Sequence, residues 1–192
     1  MNGEAIAVDQ EKKEKILQTA KELFSRYGFK KATVDEIAES AGISKRTLYE
    51  TFDNKEAILA ELVMAEALSF RKVCLAQLKT LDTPTEKLRL LCQLTTKYFD
   101  ENPFLGAVLD DDAGLYTPFL DNEIHRVEDG IQGIIANILA DGVQQGSFRE
   151  MNISATARCI LILFRGFTYR RDSIDDGKSE WIGFIVHSIE KK

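Results

Sequence analysis

The stretch AGISKRTLYETFDNKEA, Ala41–Ala57, places Lys45, Arg46, Thr47 and Tyr49 within five positions, headed by Ser44. These side-chain types suit contact with double-stranded DNA. Lysine and arginine reach phosphate oxygens or guanine edges, and threonine can approach a base edge or a thymine methyl. Thr33 and Lys55 each stand at a predicted helix start, flanking the helix that carries these residues. The free N–H groups at helix starts are themselves phosphate-binding.

Such a use needs two short helices at a fixed angle with a third packed behind them. Ile16, Leu17, Ala20, Leu23, Phe24 and Tyr27 follow helical spacing, which predicts a helix from Gln10 to Tyr27. Gly28 ends it, because glycine enters the left-handed cap at little cost. Thr33 and Glu36 form a capping-box pair that opens a second helix. Gly42 turns the chain, and Ser44 can cap a third helix that ends near Phe52. Leu48 and Phe52 are four apart and share one face. With Ile37, Ala38, Ala41 and Ile43 they form a core that leaves Lys45, Arg46, Thr47 and Tyr49 on other faces.

The chain as a whole is acidic, with 192 residues and a net charge of −6, and this speaks against a polyanionic partner. The objection weakens locally. Between Arg26 and Lys55 there are six basic residues against five acidic ones, so the excess negative charge lies elsewhere. Glu50 and Asp53 remain near the proposed DNA side, where they would weaken or orient binding.

The segment FSRYGFKKATVDEIAESAGISKRTLYETFDNKEAIL closely resembles the DNA-binding segment of TetR-family transcriptional regulators. It carries LFSRYGF at the end of the first helix, T-V-x-x-I-A on the second and A-G-I-S at the turn. TLY-x-x-F follows on the third, and K-E-x-I-L opens the fourth. The resemblance covers the first quarter to third of the chain. It implies that Thr33 and Lys55 contact phosphates, that Lys45, Arg46 and Thr47 face the major groove, and that Tyr49 touches the backbone or a base edge. Arg46 occupies a position often small in the family. The resemblance also implies a homodimer and a small-molecule effector.

The remainder reads as helical throughout, with no strand alternation, internal repeat or low-complexity tract. Asn54 caps a long fourth helix running to about Leu81, and Thr83-Pro84-Thr85-Glu86 opens a fifth that stops at Asn102-Pro103. Thr117-Pro118 opens a helix to about Gln144, Gly146 is a cap, and two further helices cover about Ile153–Arg170 and Ser179–Lys191. The expected fold is all-α. A flexible N-terminus (1–9) precedes a helix-turn-helix DNA-binding domain (10–56), and a long fourth helix leads into a ligand-binding and dimerisation domain (57–192).

In that second domain, Phe70, Leu94, Tyr98, Phe99, Phe104, Tyr116, Phe119, His125 and Phe164 are candidates to line an effector pocket, with Leu105 beside them. Aromatics with a few polar groups describe many small-molecule sites, and an ordinary core equally well. Ile160, Leu161, Phe164, Phe167, Trp181, Phe184, Ile185 and Ile189 on the last two helices are candidates for a four-helix dimer interface, or for the subunit's own core.

The sequence also admits other uses. LDDDAG, Leu109–Gly114, could hold Mg²⁺ in a helical enzyme if carboxylates such as Asp121 or Glu128 joined it. The same acids with His125 could form a metal sensor, and the N-terminal bundle could dock a protein instead of DNA. No Ser-His-Asp elbow, HExxH or glycine-rich phosphate loop occurs, so no enzyme activity, cofactor or resident metal is expected. Cys74, Cys92 and Cys159 are odd in number and form no CxxC, which argues against a disulfide framework or a zinc finger. Each falls in an apolar helical run and reads as a buried thiol. The N-terminus lacks the apolar core of a secretory signal, and Arg158 and Arg165 interrupt ARCILILFRGF, so a cytoplasmic location away from the membrane is expected.

Overall fold

The computed structural model describes residues 2–102, 104, 117–169 and 180–191. Eight α-helices are present among them. They are α1 (Asn2–Tyr27), α2 (Val34–Ser40), α3 (Lys45–Thr51), α4 (Lys55–Leu78), α5 (Pro84–Glu101), α6 (Thr117–Gln144), α7 (Ile153–Tyr169) and α8 (Glu180–Ile189). The all-α class expected from the sequence holds. The first helix begins at Asn2, eight residues ahead of the start that its apolar periodicity suggests.

Local chemistry sets most boundaries. Asn54 Oδ1 accepts the N–H of Ala57 at 2.7 Å and starts α4. Thr83 Oγ1 accepts the N–H of Glu86 at 3.2 Å, with Pro84 in the first turn of α5. Asn152 caps α7, its Oδ1 accepting the N–H of Ala155 at 3.0 Å. These bonds satisfy backbone donors that a helix start would otherwise leave open.

Two apolar clusters organise the packing. The first joins Ile16, Ala20 and Phe24 of α1 to Ile37, Ala38, Leu48 and Phe52, and continues into α4 through Ile58, Leu59, Leu62 and Val63. The second gathers the far half of α4 with α5, α6, α7 and α8, centred on Leu88, Leu139, Phe164, Trp181 and Ile185. Helix α4 thus belongs to both cores. Helix α6 packs along α7 and across α4 and α5. The α6–α7 loop is tied to the C-terminus, since Arg149 N–H donates to Ile189 O at 2.9 Å and Lys191 N–H to Ser147 O at 3.0 Å.

Candidate functional site

The helix-turn-helix is built from its caps inward. Thr33 Oγ1 accepts the N–H of Glu36 at 3.2 Å while the Glu36 carboxylate accepts the N–H of Thr33 at 2.8 Å, completing the capping box. Hydrogen bonds from the Thr33 side chain and backbone hold the Glu36 carboxyl below its usual range. Gly42 carries a φ of 63°, a left-handed conformation that side chains disfavour, and the turn closes through Ile43 N–H to Ala38 O at 3.0 Å. Ser44 Oγ then accepts the N–H of Thr47 at 3.1 Å and starts α3.

Leu48 is fully buried and Phe52 nearly so, which fixes the roll of α3. Lys45, Arg46 and Tyr49 are consequently exposed and Thr47 is half-buried. Neither basic side chain is idle. Lys45 pairs with Asp35 of α2, and Arg46 Nε lies 2.9 Å from Glu50 one turn along. Exposed pairs of this kind contribute about 0–1 kcal/mol. Separating them therefore costs little.

Behind this unit, one carboxylate links both cores. Glu66 of α4 accepts from Lys21 Nζ of α1 at 2.5 Å on one oxygen, and from Tyr98 Oη and Asn102 Nδ2 at 2.8 and 2.7 Å on the other. Burial pushes the Glu66 carboxyl up, but these donors and the Lys21 charge outweigh it and hold the group below its usual range. Burial, reinforced by the facing carboxylate, pushes the Tyr98 phenol well above its ordinary value. The Tyr98 ring stacks on Phe70 with centroids 4.3 Å apart.

That stacked pair forms one wall of a cavity of about 160 Å³ between α4, α5 and α6. Val63, Ala67, Phe99, Val127 and Ile131 are among its other apolar lining residues. Its charged lining is Arg71, Arg126 and Glu128.

The outer faces of α7 and α8 carry a separate apolar surface. Ile162, Leu163 and Phe184 are 58%, 36% and 67% exposed, and Cys159, one turn before Leu163, is exposed beside them.

Comparison with known proteins matches the same two halves. Residues 16–62 fit the family model described as bacterial regulatory proteins, tetR family, and residues 81–168 fit that of the tetracyclin repressor-like C-terminal domain. The chain belongs to the TetR family of transcriptional regulators. The HTH-type regulator YhgD of Bacillus subtilis is 27% identical over 169 residues, spanning 80% of this chain and 81% of that one. FadR of Bacillus subtilis, solved in complex with stearoyl-CoA, superposes with a TM-score of 0.78 at 22% identity, covering 92% of this chain and 99% of FadR. A transcriptional regulator from Saccharomonospora viridis, solved with choline, also gives 0.78, at 25% identity and 95% and 100% coverage.

Within this TetR-family chain, the structure gathers Thr33, Ser44, Lys45, Arg46, Thr47 and Tyr49 around the α2–α3 unit. Lys55, expected as a phosphate anchor, is held by the protein's own backbone. Its ammonium donates to Phe29 O at 2.7 Å and Ala32 O at 2.9 Å, and lies 4.3 Å from the Phe29 ring centroid. It ties the α1–α2 loop to the start of α4.

Of the pocket candidates, Phe70, Tyr98 and Phe99 line the cavity. The others described do not. Leu94 packs on the C-terminal core, Phe104 is buried in the N-terminal core, His125 is exposed on α6, and Phe164 fills the core between Phe99 and Trp181. Leu105, Tyr116 and the side chains of Phe119 and Phe167 lie outside the described residues, as does LDDDAG. Arg71 and Arg126 were missed, since the signal was an arginine one position from an apolar stripe on each of two helices.

The dimer candidates divide in the same way. Ile160, Leu161, Phe164, Trp181, Ile185 and Ile189 are buried in the subunit's own core, so they have no surface to offer a partner. Phe184 alone among those described points outward. Cys159 is likewise exposed rather than buried, whereas Cys74 and Cys92 are buried as expected. Among the described residues, no three His, Cys, Asp or Glu side chains converge on one point, and no helix is long and apolar enough to cross a membrane.

Proposed function

We propose that this regulator is a cytoplasmic repressor that binds a near-palindromic operator as a homodimer and leaves it when a small-molecule effector fills the cavity. The observation that carries the reading is the double role of Tyr98. Its ring walls the cavity, and its hydroxyl shares the Glu66 carboxylate with Lys21 of the DNA-binding unit. An effector that displaces the ring disturbs the bond through which α4 and α5 hold α1. The population then shifts toward a spacing of recognition helices that misfits the operator.

The solved complexes of structural relatives with stearoyl-CoA and with choline support a small-molecule effector. The outward faces of α7 and α8, with Ile162, Leu163 and Phe184, support a two-fold apolar interface. Two such subunits would read half-sites one helical turn apart, roughly 34 Å.

The test is fluorescence anisotropy against duplexes tiled from the region upstream of the gene, at two salt concentrations. Saturable, salt-weakened binding to one near-palindromic duplex is expected. Arg46→Ala with Tyr49→Ala should weaken it at least tenfold, at unchanged helicity. Unchanged affinity in the double variant would overturn the assignment of the interface.

A further inference from the structure

We propose that the cavity between α4, α5 and α6 takes a monocarboxylate with a compact apolar body of about six to eight carbons. This rests on the effector reading above and names the ligand class. The two structural relatives solved with ligands carry molecules of opposite charge character, an anionic thioester and a quaternary ammonium, so likeness of fold does not decide the sign.

The residues of this chain do. Arg71 on α4 and Arg126 on α6 both line the cavity and both are solvent-exposed, which places their guanidinium ends where the cavity meets water. Among the described residues neither forms an ion pair or hydrogen bond, so both forks are open to a ligand. Among the described lining residues, Glu128 is the one carboxylate beside the two arginines. Two guanidinium groups on facing helices suit a planar carboxylate, which accepts paired N–H donors in a fixed geometry.

Size sets the other bound. An apolar cavity of about 150 Å³ holds a benzene-sized molecule, and this one measures about 160 Å³. An eighteen-carbon chain carries about two to three times as many carbons as such a body. The walls suit an aliphatic or an aromatic body, since Phe70 and Tyr98 present a stacked pair while Val63 and Ile131 are aliphatic.

The probes are octanoate, 3-phenylpropionate, octan-1-ol, octylamine and stearate, titrated against the full chain. Trp181 is the one tryptophan in the sequence. It reports through Phe164 and Phe99, whose rings step to the cavity wall at centroid separations of 6.0 and 6.2 Å. Either short acid should quench or shift Trp181 emission, whichever body the cavity prefers. It should bind about tenfold or more tighter than octan-1-ol or octylamine. Arg71→Gln with Arg126→Gln should collapse the preference of octanoate over octan-1-ol. Octylamine binding as tightly as octanoate, or an unchanged preference in the double variant, overturns the charge assignment. Stearate tighter than octanoate overturns the size limit. Parallel anisotropy on the operator duplex separates the two readings. Octanoate that binds without releasing DNA refutes the effector role and leaves the ligand class. No short acid binding to protein that still binds DNA refutes the ligand class and leaves the regulator.

Discussion

Replacing Glu66 with Gln removes the charge on which Lys21, Tyr98 and Asn102 converge. The side chains of Lys21 and Glu66 are 31% and 18% exposed, between a surface pair and a buried one. A surface pair contributes about 0–1 kcal/mol, and breaking a buried one costs about 3–5 kcal/mol. The intermediate setting gives a loss of about 2 kcal/mol, which for a chain of this size is roughly 4–8 °C in melting temperature. Urea and thermal unfolding of both proteins at neutral pH would measure it. The pH dependence is the sharper check. Glu66 is more acidic folded than unfolded. Its contribution is therefore full above the unfolded glutamate value of about 4.3, and is lost as pH falls through the lower folded value. The gap between wild type and Glu66→Gln should stay constant from pH 6 to 8 and shrink below about pH 4. A gap under about 0.5 kcal/mol at pH 7, or one that persists undiminished at low pH, would refute the role given to this carboxylate.

Three further outcomes follow from particular contacts. In Gly142→Ala the new Cβ would lie 2.0 Å from Phe148 Cδ2, and Phe148 is buried beside a loop tied to the C-terminus. Destabilisation of about 1–3 kcal/mol is expected in thermal melts, and an unshifted transition would contradict it. Lys55→Met should cost about 1–3 kcal/mol of stability yet leave the salt dependence of DNA binding unchanged, whereas Arg46→Ala should reduce the salt slope by about one. A reduced slope in Lys55→Met would restore that residue as a phosphate contact. Burial pushes the Cys74 and Cys92 thiols up to about 11 and about 12. A thiol reagent at pH 8 should leave both unmodified until the protein is unfolded, which mass spectrometry of the labelled peptides would show.

Helix starts and turns were legible in the sequence because they depend on atoms three or four residues apart. Thr33 with Glu36, Ser44 with Thr47, Asn54 with Ala57 and Thr83 with Glu86 each form the bond their spacing implies. Gly28, Gly42 and Gly146 adopt the positive φ expected at their turns. The exposed cluster on α3 followed in turn, since Leu48 and Phe52 must face inward together.

Long-range destinations were not legible. In the run Ile160–Phe164 every residue is apolar, so periodicity cannot say which face turns inward. Packing of α7 against α6 buries Ile160, Leu161 and Phe164 and leaves Ile162 and Leu163 outside. Lys55 reads as an available cation until the fold brings the carbonyls of Phe29 and Ala32 within reach of it. Arg71 and Arg126 are 55 residues apart and line one cavity only because α4 and α6 pack across each other. The sequence alone determined most helix boundaries, their caps and the exposed cluster on α3, where each cause lies within one or two turns. The tertiary structure decided which faces became core, which cations stayed free and what chemistry the cavity presents, because those depend on partners distant along the chain.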